Sequence, residues 1–338
     1  MFAMIVKLLA RRVLIAVPTL IVVSMLLFAI LRLLPVDPAA MSVPPTATVE
    51  EIEAMRRQMG LDLPVPQQYL IWLGQTLAGD FGRSIHYRSE VAPLIAHTLP
   101  ATIELALLAI LLATVLGLSG GLLIFHSRGG PAEVALDLGS IAVLSVPEFL
   151  WALLLLLALG VTWPLLPFTG RLSPGVETPG GTGFLLLDSL IAGRPATFWD
   201  ALVHMALPVM SLGIAASPAI MRVLRSSLMD IYQEDFIHQA RLRGLSEGRI
   251  LLRHGLKNAI LPTLALMGVQ FGFLFGGTLL AEIVFSYPGM GNLMVDAIRN
   301  ADLPVIQAVG LTYCVMVLII SVTVDCLYLI LNPKLRPR

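Results

Sequence analysis

The stretch that decides the fold is Val13-Leu14-Ile15-Ala16-Val17-Pro18-Thr19-Leu20-Ile21-Val22-Val23-Ser24-Met25-Leu26-Leu27-Phe28-Ala29-Ile30-Leu31, nineteen residues without one charge. As a helix it rises about 28 Å, close to the roughly 30 Å hydrocarbon thickness of a bilayer. Lys7, Arg11 and Arg12 stand before it and Arg32 after it, so groups that belong in water bound the run at both ends. It is longer than the core of a secretory signal and no small-x-small cleavage site follows, which predicts an uncleaved first membrane helix.

Working outward, comparable stretches recur at 105–125, 138–163 with Glu148 inside, 201–221, 258–281 and 303–324, the last continuing past Asp325. The chain is 57% hydrophobic and 13% charged, where soluble chains carry about a quarter charged residues, so most of its surface must face lipid. A backbone amide left unpaired in lipid costs several kcal/mol, and no closed-barrel alternation is present. The expected fold is therefore all-α, a polytopic membrane protein with about six transmembrane helices. Six spans place both termini on one side. Cytoplasmic loops collect lysine and arginine; with the amino terminus inside, fourteen fall on inner segments and seven on outer ones, Arg32 lying at a boundary. Both termini are expected in the cytoplasm.

Residues 1–33 read as amino terminus and first span, 34–98 as a small helical cap outside the membrane, and 99–338 as the core transmembrane domain, with a cytoplasmic loop at 222–258. In the cap, Pro44-Pro45-Thr46, Gly60 and Pro64 punctuate two short helices. A second outer stretch, 164–197, is rich in glycine and proline and is expected to be irregular. Gly268, Gly272 and Gly276 recur every four residues, as do Gly117 and Gly121, so each set shares a helix face on which another backbone can approach closely.

Catalytic chemistry finds little support. Gly117-Leu118-Ser119-Gly120-Gly121 matches a hydrolase nucleophile elbow only formally, because that motif needs a strand and a strained turn rather than a membrane span. Gly180-Gly181-Thr182-Gly183 lacks the lysine of a phosphate-binding loop, so the chain is not expected to be its own ATPase. His204, His238 and His254 form no pair at helical spacing, and no metal site is expected. Cys314 and Cys326 would stand about 18 Å apart along a helix, too far for a disulfide. Charges inside spans are retained where they face protein or water. Glu104 and Glu282 lie near span ends, where hydration is expected, whereas Asp325 is deep and is expected to be paired. A proton relay through Glu148 and Asp325 would define a different class, an ion-coupled secondary transporter.

The segment 222–257 carries seven basic and four acidic side chains. Gln233-Glu234-Asp235-Phe236-Ile237-His238-Gln239-Ala240-Arg241-Leu242-Arg243-Gly244-Leu245-Ser246 reads as a helical segment closed by Gly244, with Ser246 capping a second helix over 247–257. Two short amphipathic helices joined by a glycine make a compact knob, suited to docking a cytoplasmic partner.

This segment, with His254-Gly255-Leu256-Lys257-Asn258-Ala259-Ile260-Leu261-Pro262, resembles the ATPase-engaging loop of permeases of binding-protein-dependent ABC importers, in their dipeptide, oligopeptide and nickel branch. Asp37-Pro38, Gly79-Asp80-Phe81-Gly82-Arg83-Ser84, Leu99-Pro100-Ala101-Thr102-Ile103-Glu104-Leu105, Phe285-Ser286-Tyr287-Pro288-Gly289-Met290-Gly291 and Asn332-Pro333 extend the resemblance over nearly the whole chain. It implies the type I ABC importer permease fold in a bacterial inner membrane and a heterodimer with a second, similar permease. It also implies two cytoplasmic ATPases that use ATP and Mg, an extracytoplasmic solute-binding protein, no cofactor on this chain, and no nucleic acid. The implied substrates are short peptides, with nickel complexes or glutathione-like compounds as alternatives. The residues it assigns to ATPase coupling are Glu234, Asp235, Phe236, His238, Ala240, Arg241, Arg243, Gly244, Leu245, Ser246, His254, Asn258 and Pro262. Two departures stand out: His238-Gln239-Ala240 replaces the wider superfamily's Glu-Ala-Ala, and Val36 stands where relatives often have glycine.

Overall fold

The computed structural model describes residues 2–33, 37–44 and 46–331. Val36, Pro45, Asn332-Pro333 and the basic residues Lys334, Arg336 and Arg338 lie outside the described residues, as do the side chains of Lys7 and Arg11. The regular structure of the described residues is helical, apart from one isolated bridge between Arg83 and Glu90. Its helices are α1 (Phe2–Arg32), α2 (Pro38–Ser42), α3 (Val49–Gln58), α4 (Val65–Leu77), α5 (Val91–His126), α6 (Pro131–Ser145), α7 (Glu148–Leu155), α8 (Leu185–Ile191), α9 (Pro195–Ile231), α10 (Asp235–Leu242), α11 (Glu247–Arg249), α12 (Leu256–Val284), α13 (Met290–Arg299) and α14 (Leu303–Leu331). Helix α7 runs on as a π-helix over Leu156–Thr162, and α11 joins α12 through another over Ile250–Gly255.

Five helical stretches are long and apolar enough to cross a membrane: 14–32 of α1, α5, α9, the run from α11 through α12, and 303–328 of α14. The expected third span over 138–163 is not one helix. It is the pair α6 and α7, bent by 96°. Pro147 explains the break: its ring bars the preceding residue from helical geometry, and Val146 is extended at φ −94°, ψ 121°. Trp151 braces the corner by donating from Nε1 to the Val143 carbonyl at 3.2 Å.

The bent pair nonetheless carries the chain back across the bundle, because α5 and α9 run parallel. Leu112 lies against Gly213, Gly117 against Ser217 and Ile220, and Gly121 against Met221 and Leu224. Two parallel neighbours require a return between them. Helix α6 starts beside the far end of α9, where Arg225 pairs with Glu133 and, at 3.1 Å, with Asp137. By Ser173 the chain has returned to the start of α9, where the Ser173 amide and hydroxyl donate to Asp200, each at 2.7 Å.

Small residues set the α5–α9 distance. Ala109, Ala113, Gly117 and Gly121 recur every four residues and are all buried. A Cβ at Gly117 would stand 2.5 Å from Ile220 Cβ, and one at Gly121 would stand 2.9 Å from the Met221 carbonyl. Gly268 of α12 faces Val324 of α14, whereas nothing lies within 4 Å of a Cβ at Gly272 or Gly276. Beside them Gly277 faces the Glu148 carboxylate. Arg12 of α1 pairs with Asp325 of α14.

At the end of the bundle opposite α10, three short helices stand between α1 and α5 where two were expected. The extra one, α2, begins at Pro38 and is capped by Asp37, which accepts from the Ala39 amide at 3.0 Å and pairs with Arg56 at 2.5 Å. This bond holds the Asp37 carboxyl below its usual pKa. Thr48 and Glu51 make a reciprocal capping box on α3. Tyr69 of α4 docks on α1 through Ser24 at 2.9 Å and an edge contact with Phe28.

Glu104 and Glu282 are buried rather than hydrated, which corrects the expectation for both. Glu282 accepts from Thr102 Oγ1 at 2.7 Å and from the Gly291 and Asn292 amides at 2.6 and 3.2 Å, so it sits on the N-terminus of α13. Glu104 accepts from Arg171 and from the Leu186 amide, each at 2.8 Å. These bonds fasten the 163–194 stretch to α5, and Asp188 of α8 closes it locally by accepting from Thr182 and Gly183. The stretch is thus irregular only in part.

The packing yields a direct test. Gly117→Ala should destabilise the protein by about 1–3 kcal/mol through overpacking, whereas Gly139→Ala, with open space around it, should not. Equal melting temperatures for the two variants in detergent would contradict the close α5–α9 contact.

Candidate coupling site

The segment joining α9 to α12 is built around a half-buried aromatic. Tyr232, the first residue past α9, packs edge-on against Phe125 at 4.6 Å between ring centres. The Arg128 guanidinium lies 5.2 Å from the Tyr232 ring and 4.3 Å from the Phe125 ring. Arg241 covers Tyr232 at 5.5 Å from the other element of the knob. Gly255 lies beneath it, where a Cβ would come within 3.0 Å of the ring. Burial pushes the Tyr232 hydroxyl pKa upward.

Helix α10 lies on this anchor by one face. Ile237 and Ala240 are buried with Ile250, and Leu245, Ile231 and Tyr232 pack against them. The helix ends in a Schellman motif: the Leu245 amide donates to the Ala240 carbonyl at 3.3 Å and the Gly244 amide to that of Arg241 at 2.9 Å. Gly244 has φ +72°, the left-handed geometry that this motif requires and that a side chain disfavours. Arg241 Nε donates to Glu247 Oε1 at 2.6 Å, bridging the glycine turn and raising the Arg241 pKa.

Beyond the turn, the chain departs from the expected second short helix over 247–257. Ser246 takes the cap position without a side-chain cap bond, and α11 passes through the π turn Ile250–Gly255 directly into α12. The knob is therefore continuous with a membrane helix. Asn258 Nδ2 donates to the His254 carbonyl at 2.8 Å. Pro262, having no amide hydrogen, leaves the carbonyl four residues earlier without its helical partner.

The thirteen residues expected at the coupling site divide into three groups. Glu234, Asp235, Phe236, His238, Arg243, Gly244 and Ser246 are exposed at the tip; Ala240, Arg241 and Leu245 hold the tip to its base; His254, Asn258 and Pro262 belong to the helix leading into the bundle. Sequence reasoning missed Leu242, 88% exposed beside Arg243, although an apolar residue on the outer side of an amphipathic helix was a readable signal. It also missed Tyr232, Phe125 and Arg128, whose roles depend on contacts between distant segments. Among the described residues no group of three or more histidine, cysteine, aspartate or glutamate side chains is placed to hold a metal ion.

Comparison with known proteins gives this fold its family. Residues 109–337 match the family "Binding-protein-dependent transport system inner membrane component". Residues 4–106 match the corresponding N-terminal family of membrane components. The di/tripeptide transport system permease protein DppB of Pseudomonas aeruginosa (strain UCBPP-PA14) is 36% identical over 329 residues, covering 97% of this chain and 98% of that protein. The glutathione transport system permease protein GsiC of Escherichia coli (strain K12) is 33% identical over 328 residues, covering 96% and 97%. Among solved structures, an inward-facing form of the MetNI methionine ABC transporter superposes with a TM-score of 0.54 over 71% of this chain and 96% of that one, at 14% identity, a likeness of fold alone. The chain belongs to the inner membrane components of binding-protein-dependent transport systems: it is a multi-pass permease of an ABC importer in the dipeptide and glutathione branch, and partner ATPases, not this chain, use the ATP.

Proposed function

We propose that this chain pairs with a second, homologous permease to form the passage through which short peptides cross the inner membrane. Two ATPases drive the movement from the cytoplasmic side, and a solute-binding protein delivers the peptide on the other. In this reading the α10–α11 knob faces the cytoplasm, both chain ends lie on that side, and the α2–α4 cap faces outward. The observation that carries it is the construction of the knob, whose buried base is continuous with α12 while its tip exposes Phe236, Leu242 and Arg243. Phe236 and Leu242, left bare beside Arg243 on a segment that resembles an ATPase-engaging loop, support reading the tip as the surface that a partner covers. A push on the tip reaches α12 through Arg241, Glu247 and the π turn, and α5 through Tyr232 and Phe125. Rigid connection of this kind lets ATPase closure bias one arrangement of the membrane helices over another.

The substrate reading rests on the names of the relatives, two of which transport di- and tripeptides or dipeptides. Glutathione is the second reading, supported by the relative at 33% identity. Reconstitution of the full importer in proteoliposomes decides between them: ATP-dependent uptake of labelled dipeptide should be suppressed by excess di- or tripeptide more strongly than by glutathione. Uptake of glutathione with none of dipeptide would overturn the choice.

Coupling has its own test. Leu242→Asp places a charge where an apolar contact is expected, and Gly244→Val imposes roughly 1–2 kcal/mol of left-handed strain on the turn. Each should reduce uptake at least tenfold while the membrane helices stay folded. Uptake at the wild-type rate in both would remove the docking role.

A further inference from the structure

At the end of the bundle opposite the knob, α1, the α2–α4 cap, the 80–88 loop and the start of α14 line a cavity of about 810 Å³. Its lining includes the apolar Phe28, Leu31, Ile71, Trp72 and Leu303. Among the described residues it also includes four arginines, Arg32, Arg57, Arg83 and Arg88, and one acidic residue, Asp80. That carboxylate is already engaged, accepting from the Gly82 amide at 2.8 Å.

Among the described residues none of these arginines has a close ion pair. Arg32 stacks over Phe28 at 5.0 Å, among the described residues its buried Nε has no hydrogen-bond partner, and it also lines an adjoining cavity of about 270 Å³. Arg83 spends two donors on the Arg88 carbonyl, at 3.1 and 2.9 Å. Arg57 has only a loose pair, 3.9 Å from Glu53. Arg88 holds φ at +53°, an unfavourable backbone for a residue with a side chain. Strain of this kind persists where surrounding structure over-determines it, and it clusters at ligand clamps. Here the backbone of the turn is closed by the Ser84 amide donating to the Ser89 carbonyl at 2.8 Å and the Val91 amide to that of Gly82 at 3.1 Å, and Arg83 and Arg88 both line the cavity.

The α1 residues on its wall, Phe28, Leu31 and Arg32, are the last turn of the apolar run and the cation that ends it. A ligand that fits this lining is apolar in one part and anionic in another. Guanidinium groups recognise phosphate oxygens by paired donors. We propose that the cavity holds a phosphate-bearing amphiphile, the headgroup of an anionic phospholipid, gripped by Arg32 and the Arg83–Arg88 turn. This adds a lipid site to the permease, apart from the peptide passage and the knob.

The test uses the complete importer in nanodiscs of phosphatidylcholine, with and without phosphatidylglycerol, read by thermal unfolding and by native mass spectrometry of the lipid retained. Binding to the folded state raises the melting temperature, so phosphatidylglycerol should raise it and be retained on the wild type. Arg32→Gln and Arg88→Gly should each lose that rise and that lipid. Arg88→Gly should also melt higher than wild type in phosphatidylcholine alone, since glycine relieves the left-handed backbone, and this separates loss of the ligand from loss of the fold. An undiminished phosphatidylglycerol effect in both variants, or none in the wild type, would refute the site. Equal protection by inorganic phosphate in phosphatidylcholine discs would overturn the lipid assignment in favour of a soluble anion. Equal protection by a short peptide would overturn phosphate recognition itself. None of these readouts is uptake, so the transport reading stands or falls separately.

Discussion

The contact on which the architecture depends is the parallel approach of α5 and α9, brought together by Ala109, Ala113, Gly117 and Gly121 on one side and Gly213 on the other. In lipid no hydrophobic force drives one apolar helix onto another, so close van der Waals packing between small residues supplies much of the attraction. Because the two helices point the same way, the chain must recross the bundle between them. The same contact carries the end of α5, with Phe125 and Arg128, to the point where α9 delivers Tyr232. The knob is thus seated on two membrane helices before α12 begins.

At the opposite end the binding problem is polar. Glu282, Glu104 and Asp302 are buried, and a buried charge is tolerable only when hydrogen-bonded. Each acid has its donors. Glu282 takes two amides at the start of α13, where the helix dipole favours a negative charge. Gly289 and Gly291 press so closely on its carboxylate that a Cβ at either position would collide with it. Asp302 accepts from Ser84 at 2.5 Å and from the His86 amide at 3.0 Å, which ties the loop before α5 to the start of α14. The motifs around Thr102 and Gly289 thus meet on Glu282 and the motif around Ser84 meets Asp302, and each of these polar clusters connects segments far apart in the chain.

Much of this was legible in the sequence. The apolar runs announced the long helices, the glycine at 244 announced the end of α10, and Asp325 announced the need for a partner, which Arg12 supplies. The misread features share a cause. Pro147 was visible inside the third apolar run, but hydropathy weighs side chains and takes no account of a ring that keeps the preceding residue out of helical geometry. Glu104 and Glu282 stood near the ends of runs, where water is the natural partner, and only the packed structure shows amides, Thr102 and Arg171 in its place. The coupling residues formed one group along the chain because they adjoin in sequence, whereas their distribution over tip, base and helix depends on the burial of Ile237 and Ile250.

The π turn between α11 and α12 sets the direction in which the tip points. A π-helical turn accommodates one residue more than an α-helical turn, and one residue of α-helix corresponds to about 100° of rotation. Everything before Ile250 is therefore swung by about that angle relative to a helix of uniform pitch, and Ile250 lies buried with Ile237. The length of this short segment acts as an azimuthal setting, so losing a single residue there would re-aim the tip even if every exposed side chain on it were kept.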